Sequence, residues 1–224
     1  RGFGAIHLER VDRLAALGRV ELVACVDPAG PLEGRDVPWY ASLTEALAAH
    51  EADIVNIATP IGTHFALASE ALAAGADVML EKPPVASFED FVRLEEIQKA
   101  SGRSIQIGFQ ALGSDALARV RELEARIGDL VSVQIWGMWL RPTSYYGRAS
   151  WAGKRVMNGK RVADGVCTNP LAHSFASAFA LVGLTGIDQI EAIETELYHA
   201  HDIEADDTSW VKIRVNRMAP VAAH

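Results

Sequence analysis

Three residues of this chain have the type and the neighbours for proton and oxyanion chemistry. Lys82 lies in Glu81-Lys82-Pro83, directly after the apolar run 77–80, and a second proline follows at Pro84. A lysine ammonium is a compact three-donor cation able to polarise an oxygen. An apolar strand that stops at a charged pair and two prolines puts that cation at the edge where open α/β sheets bind ligands. His173 is a natural acceptor for an alcohol proton, because imidazoles titrate near neutrality. Asn169 stands four residues before it, so on a helix the two share a face. An asparagine orients a ring but lends imidazolium no charge, and Asp164, ahead of the helix, is a candidate displaced acid. The competing reading of His173 is a core histidine satisfied by backbone.

A second group has the pattern of a nucleotide-phosphate site. Arg1-Gly2-Phe3-Gly4 resembles the tail of a glycine-rich turn running into a helix, where backbone N–H groups receive phosphate. Asp27 follows the β-rich run 20–26, about 20 residues beyond those glycines, where an acid accepts ribose hydroxyls. A carboxylate there repels a 2′-phosphate, which predicts NAD in preference to NADP; NADP stays open because later residues contribute. Ordinary turns at Gly2, Gly4 and Asp27-Pro28 are the alternative. The strand that should precede the turn is absent, so the natural chain is expected to be longer at this end.

Periodicity gives the elements that must hold these residues. Helices are predicted at 7–17, 42–49, 63–74 and 87–99, and strands at 20–26, 53–59, 77–82 and 104–110. Ser42-Leu43-Thr44-Glu45 has the spacing of a capping box. Ser87 is a helix N-cap and Gly102 a stop signal. Strands alternating with helices of this length mean parallel β-α-β units in a doubly wound sheet. The ordered set Gly4-Ala-Ile-His7, Asp27, Ala58-Thr59-Pro60 with His64, Glu81-Lys82-Pro83 and Gly108-Phe109-Gln110 resembles the Gfo/Idh/MocA family of NAD(P)-dependent oxidoreductases.

The resemblance implies a Rossmann dinucleotide-binding domain at 1–111. An α+β substrate and oligomerisation domain would follow at 112–224, on a large open mixed sheet. It implies a cofactor set of Gly2, Gly4, Asp27, Thr59, Pro60, His64, Glu81 and Lys82. Thr59-Pro60 ends a strand at the ligand edge, Thr63 suits an N-cap, and His64 either faces the cofactor or lies on the surface of the cap region. Glu81 is similar to a cofactor-contacting acid, its alternatives being a salt bridge to Lys82 or exposure. Family members carry Asp and His at the spacing of Asn169 and His173, so the histidine matches and the acid is replaced. Catalytic roles fall to Lys82, His173 and Asn169. A homo-oligomer built through the second domain's sheet is expected.

The second half reads as a helix at 115–126, a long strand at 130–140 and an aromatic loop at 141–151. A helix at 169–182 and strands at 187–198 and 208–217 follow. Tyr146, Arg148 and Trp151 combine rings with a guanidinium, which suits a sugar or polyol by stacking and hydrogen bonding; Asn169 joins them as a substrate contact. The alternative is a loop tucked down by its own rings. The 202–207 segment reads as a solvated acidic turn. His199 and His201 share a strand face, yet two imidazoles without a third ligand give no metal site. The strands that should complete the sheet are not in the sequence, so the chain is expected to continue at this end too.

Bulk properties bound the partners. A formal charge of −8 and a pI near 5.4 disfavour a nucleic-acid surface. No run of about 18 apolar residues is present, so no membrane span is expected. Cys25 and Cys167 read as reduced thiols, which points to the cytoplasm. The expected function is hydride transfer between nicotinamide and a hydroxyl-bearing carbon of a sugar, inositol or related polyol. A cofactor-sensing regulator without turnover and an NAD-using glycosidase are the alternatives.

Overall fold

The computed structural model describes residues 2–31, 34–128, 130–162 and 164–216. The chain divides into two compact units, one ending at Gly108 and the other starting at Phe109.

In the first unit, α1 (Phe3–Ala16) leads to β1 (Cys25–Val26), β2 (Trp39–Tyr40) and α2 (Leu43–Ala49). Then come β3 (Ile54–Ile57), α3 (His64–Ala73), β4 (Asp77–Leu80), α4 (Phe88–Ser101) and β5 (Ile105–Ile107). β3, β4 and β5 form a parallel sheet in sequence order, with Ile57 opposite Leu80 and Leu80 opposite Ile107. Each pair is joined by a helix, the crossover that parallel strands need. Val78 and Leu80 are buried at 2% and 0% exposure. They pack with Ile57, Leu72, Ala68 and Leu94 into the core under α3 and α4. Because side chains alternate along a strand, Asn56, Met79 and Glu81 point to the other face.

Details of the boundaries and caps differ from the sequence pattern. The run 20–26 pairs only at Cys25–Val26, because its partner β2 offers two residues, Trp39 and Tyr40. Ser42 Oγ accepts the Glu45 N–H at 3.3 Å, but the Glu45 carboxylate takes the N–H of Ala41 rather than that of Ser42. The box is therefore displaced by one residue. At α4 the expected signals act as read: Ser87 Oγ accepts the Asp90 N–H, and Gly102 adopts the left-handed φ of 66°.

The second unit holds α5 (Asp115–Ile127), α6 (Thr143–Tyr146), the hairpin β6 (Val156–Met157) and β7 (Lys160–Arg161), and α7 (Ala172–Leu181). It ends in the antiparallel ladder of β8 (Ile190–Tyr198) and β9 (Thr208–Val215). The expected strand 130–140 does not form. No described strand offers it a ladder, and Val131, Trp136, Met138 and Leu140 are each at least 87% exposed. Alternation in sequence supplies a face but not a hydrogen-bonding neighbour. β8 starts three residues later than predicted, because Ile187–Gln189 coils into a 3₁₀ turn with the Gln189 side chain on the amides of Thr185 and Gly186. No described helix is long and apolar enough to cross a membrane.

Candidate active site

In the first unit the predicted residues collect at the carboxyl ends of the parallel strands. Glu81 is the residue after β4, and its own N–H is held by the Ile57 carbonyl of β3 at 2.9 Å. Its carboxylate lies 2.7 Å from His7 Nε2 through Oε1, and Oε2 accepts the Lys82 N–H at 3.1 Å. His7 comes from α1, and its other nitrogen, Nδ1, is 3.1 Å from the Asn56 amide of β3. The Glu81 carboxylate thus meets an imidazole and a backbone amide, and at 13% side-chain exposure it is not an exposed carboxylate. A Cβ at Gly108 would stand 3.2 Å from Glu81 Oε1, so glycine there leaves the carboxylate its room. Lys82 follows, half-buried, and the Lys82–Pro83 peptide is cis.

Next to β3, Thr63 donates its hydroxyl to the Pro60 carbonyl at 2.8 Å. The 2.7 Å contact of Thr59 with Thr63 is therefore donated by Thr59. Thr63 precedes α3 but does not cap it by its side chain. His64 departs from both expectations. It is 1% exposed, with Nδ1 3.0 Å from the Pro83 carbonyl and Nε2 2.8 Å from the Thr59 carbonyl. A ring enclosed between two backbone oxygens is neither a surface group nor available to a cofactor; it ties the loop after β3 to the loop after β4. Asp27 follows β1, its Oδ1 accepting the Ala29 N–H at 2.9 Å. Gly2 caps α1 at φ 53°, the left-handed region that glycine enters at little cost. Gly4 lies in the first turn, where an added Cβ would be 3.8 Å from Ala58.

The second unit contains a cleft of about 390 Å³, lined on its polar side by Tyr146, Asp164, Asn169, Asp206 and Asp207. Asp164 is a buried carboxylate that accepts the Gly153 N–H at 2.8 Å and the Asn169 amide at 2.6 Å. Asp164 is thus a partner of Asn169. Asn169 and His173 do not share a helical face, because α7 begins only at Ala172 and Asn169 sits in the preceding turn. Pro170 and Thr168 explain the late start: the Thr168 hydroxyl bonds back to Gly165 and holds a turn. His173, in the first turn of α7, meets the Phe109 ring edge-on at 5.9 Å.

Arg148 and Trp151 are not among the cleft's lining residues. The Arg148 guanidinium stacks 3.6 Å over Tyr145 and 4.7 Å over Trp151, and approaches Asp164 at 3.5 Å. This cation–π cluster fixes the loop, so of the three aromatic-loop candidates only Tyr146 reaches the cleft. Burial raises the Tyr146 phenol above its ordinary value, and the nearby Asp207 carboxylate adds to the shift. The acidic turn is not solvated throughout. Gly153 O accepts the amides of Glu204 and Ala205, Asp206 accepts Val166 N–H and Ser209, and Asp207 accepts Ala200, His201 and Thr208.

Residues 2–109 match the family model Gfo/Idh/MocA, described as the oxidoreductase family with an NAD-binding Rossmann fold. The parallel sheet and the ordered site residues lie inside that match. The first unit of the chain thus matches the Gfo/Idh/MocA family. Among curated proteins, the chain is 32% identical over 124 residues to an inositol 2-dehydrogenase of Leifsonia xyli, covering 54% of this chain and 37% of that protein. Among solved structures it is similar to the WlbA dehydrogenase of Bordetella pertussis in complex with NADH and UDP-GlcNAcA. There the identity is 26%, the TM-score 0.76, and the match covers 97% of this chain and 66% of the other. The WlbA dehydrogenase of Chromobacterium violaceum, at 24% identity and a TM-score of 0.77, shares the fold over 96% of this chain and 62% of its own. The chain thus spans just over a third of the length of that curated relative and about two thirds of the two solved chains.

Two features escape the sequence pattern. His7 stands inside the glycine motif, but only the fold shows that it touches Glu81, 74 residues away. The hairpin β6–β7 had a readable signal in Asn158-Gly159, a pair suited to a two-residue turn. Both residues adopt positive φ, 52° and 74°.

Proposed function

We propose that the protein is an NAD-dependent oxidoreductase acting on a hydroxyl-bearing carbon of a sugar, inositol or related polyol. The observation that carries the reading is the Glu81–Lys82 pair at the carboxyl edge of β4, inside the segment matched by the Gfo/Idh/MocA model. The residues present fit a dinucleotide. α1 opens on a positive-φ glycine with no side-chain cap and no acid in its first turn, which suits an anion at its start. Asp27 is placed to accept ribose hydroxyls and disfavours a 2′-phosphate. Bound NAD would supply the hydride acceptor at its nicotinamide ring.

The remaining work belongs to side chains. Lys82 hydrogen-bonds the substrate oxygen and stabilises negative charge developing on it. His173 takes the hydroxyl proton as the carbon gives up its hydride. Tyr146 and Asn169 supply substrate contacts in the cleft, where a phenol held protonated by its surroundings remains a donor. Ile193 and Leu197 are about half exposed on one face of β8, which supports self-association through that ladder. A panel of polyols with NAD, followed at the nicotinamide absorbance, tests the activity. Lys82→Ala is expected to lower kcat about 100-fold or more. Tight NAD binding with no reduction across the panel would replace this reading with a cofactor-binding regulator. The capture of Asp164 by Asn169 is the observation that favours that second reading.

A further inference from the structure

His7, in the glycine-motif group, touches the Glu81-Lys82-Pro83 motif through its side chain. Its imidazole is partly enclosed, at 18% side-chain exposure against 13% for Glu81. The chemistry of the partners fixes the ring. An ionised carboxylate only accepts, so the 2.7 Å contact with Glu81 Oε1 is donated by His7 Nε2–H. The Asn56 Nδ2–H₂ then donates to His7 Nδ1 at 3.1 Å. The Phe3 ring packs edge-on against the imidazole at 5.8 Å and limits its rotation. Glu81 Oε2 accepts the Lys82 amide at 3.1 Å. One continuous chain of hydrogen bonds therefore runs from β3 through α1 to the backbone of Lys82.

We propose that His7 is a positioning residue that acts through Glu81 to set the backbone from which the Lys82 ammonium works. The proposal rests on the oxidoreductase reading for its kinetic consequence, but not for its geometry. With His7 removed, the carboxylate loses its neighbour on Oε1 and turns away from the Lys82 amide, and the ammonium loses its aim. Small misplacements of a catalytic group lower turnover steeply.

The test uses the whole chain and four variants, His7→Ala, His7→Gln, Glu81→Gln and Lys82→Ala. Side-chain ¹⁵N NMR should find the wild-type His7 ring protonated at Nε2 with Nδ1 as acceptor. Backbone amide exchange should speed up about tenfold at Lys82 in His7→Ala, and not at Val78 within β4. In the polyol assay His7→Ala should lower kcat about 10- to 100-fold with the NAD dissociation constant within about threefold. His7→Gln, which keeps a donor and an acceptor, should recover most of that loss. A ring protonated at Nδ1 alone, an unchanged Lys82 amide, or a wild-type kcat in His7→Ala would each overturn the proposal. Should the wild type reduce no NAD with any polyol, the oxidoreductase reading fails, and the ring protonation and the Lys82 amide still decide the role of His7.

Discussion

At the scale of single residues, polar side chains here are joined to backbone more than to one another. His64 shows what that does. Its ring sits between the Thr59 and Pro83 carbonyls, and removing it leaves a carbonyl without its donor and a void where a 1% exposed side chain stood. His64→Ala is expected to cost about 3 kcal/mol, from a lost hydrogen bond, an unsatisfied carbonyl and a cavity together. Urea unfolding measures it, and a loss below about 1 kcal/mol would mean that the loops hold without the ring. The residue types at this edge were legible in sequence. Lys82 and Glu81 announce themselves where an apolar run stops. The partners of Glu81 were not legible, because 74 residues separate it from His7 and only the packing of α1 on the sheet closes that distance.

Local chemistry predicts elements well where one short signal decides, as with Ser87 and Gly102 around α4. It fails where a second element must be present. The run 130–140 has the alternation of a strand and no ladder, and residues 169–171 have helix composition but are held in a turn by Thr168. The β8–β9 connection shows the opposite: an acidic run that looks solvated is clamped by backbone donors. Burial pushes Asp207 up, but the amides of His201 and Ala200 and the Thr208 hydroxyl outweigh it and hold the carboxyl below its ordinary value. A depressed folded-state pKa gives stability that is complete above the unfolded value and lost as pH falls through the folded one. Unfolding free energy measured from about pH 5 down to about pH 2 should therefore fall less steeply in Asp207→Asn than in the wild type. Equal slopes would show that these donors do not discriminate the ionised form.

For the molecule as a whole, binding and stability are linked. A ligand at about 100 times its dissociation constant stabilises the folded state by about 2.7 kcal/mol. Thermal unfolding with saturating NAD should show a clear upward shift of the midpoint. An equal concentration of NADP should give a smaller one, since its extra phosphate meets the Asp27 carboxylate; a shift as large with NADP would remove Asp27 from the cofactor set. The shared imidazole of His64 bears on how large that binding energy can be. Two loops tied through one buried ring cannot wander independently in the free protein. Their ordering cost is met during folding rather than at the moment a ligand arrives. The edge of this sheet is thereby preorganised, and affinity gained there comes without a conformational penalty.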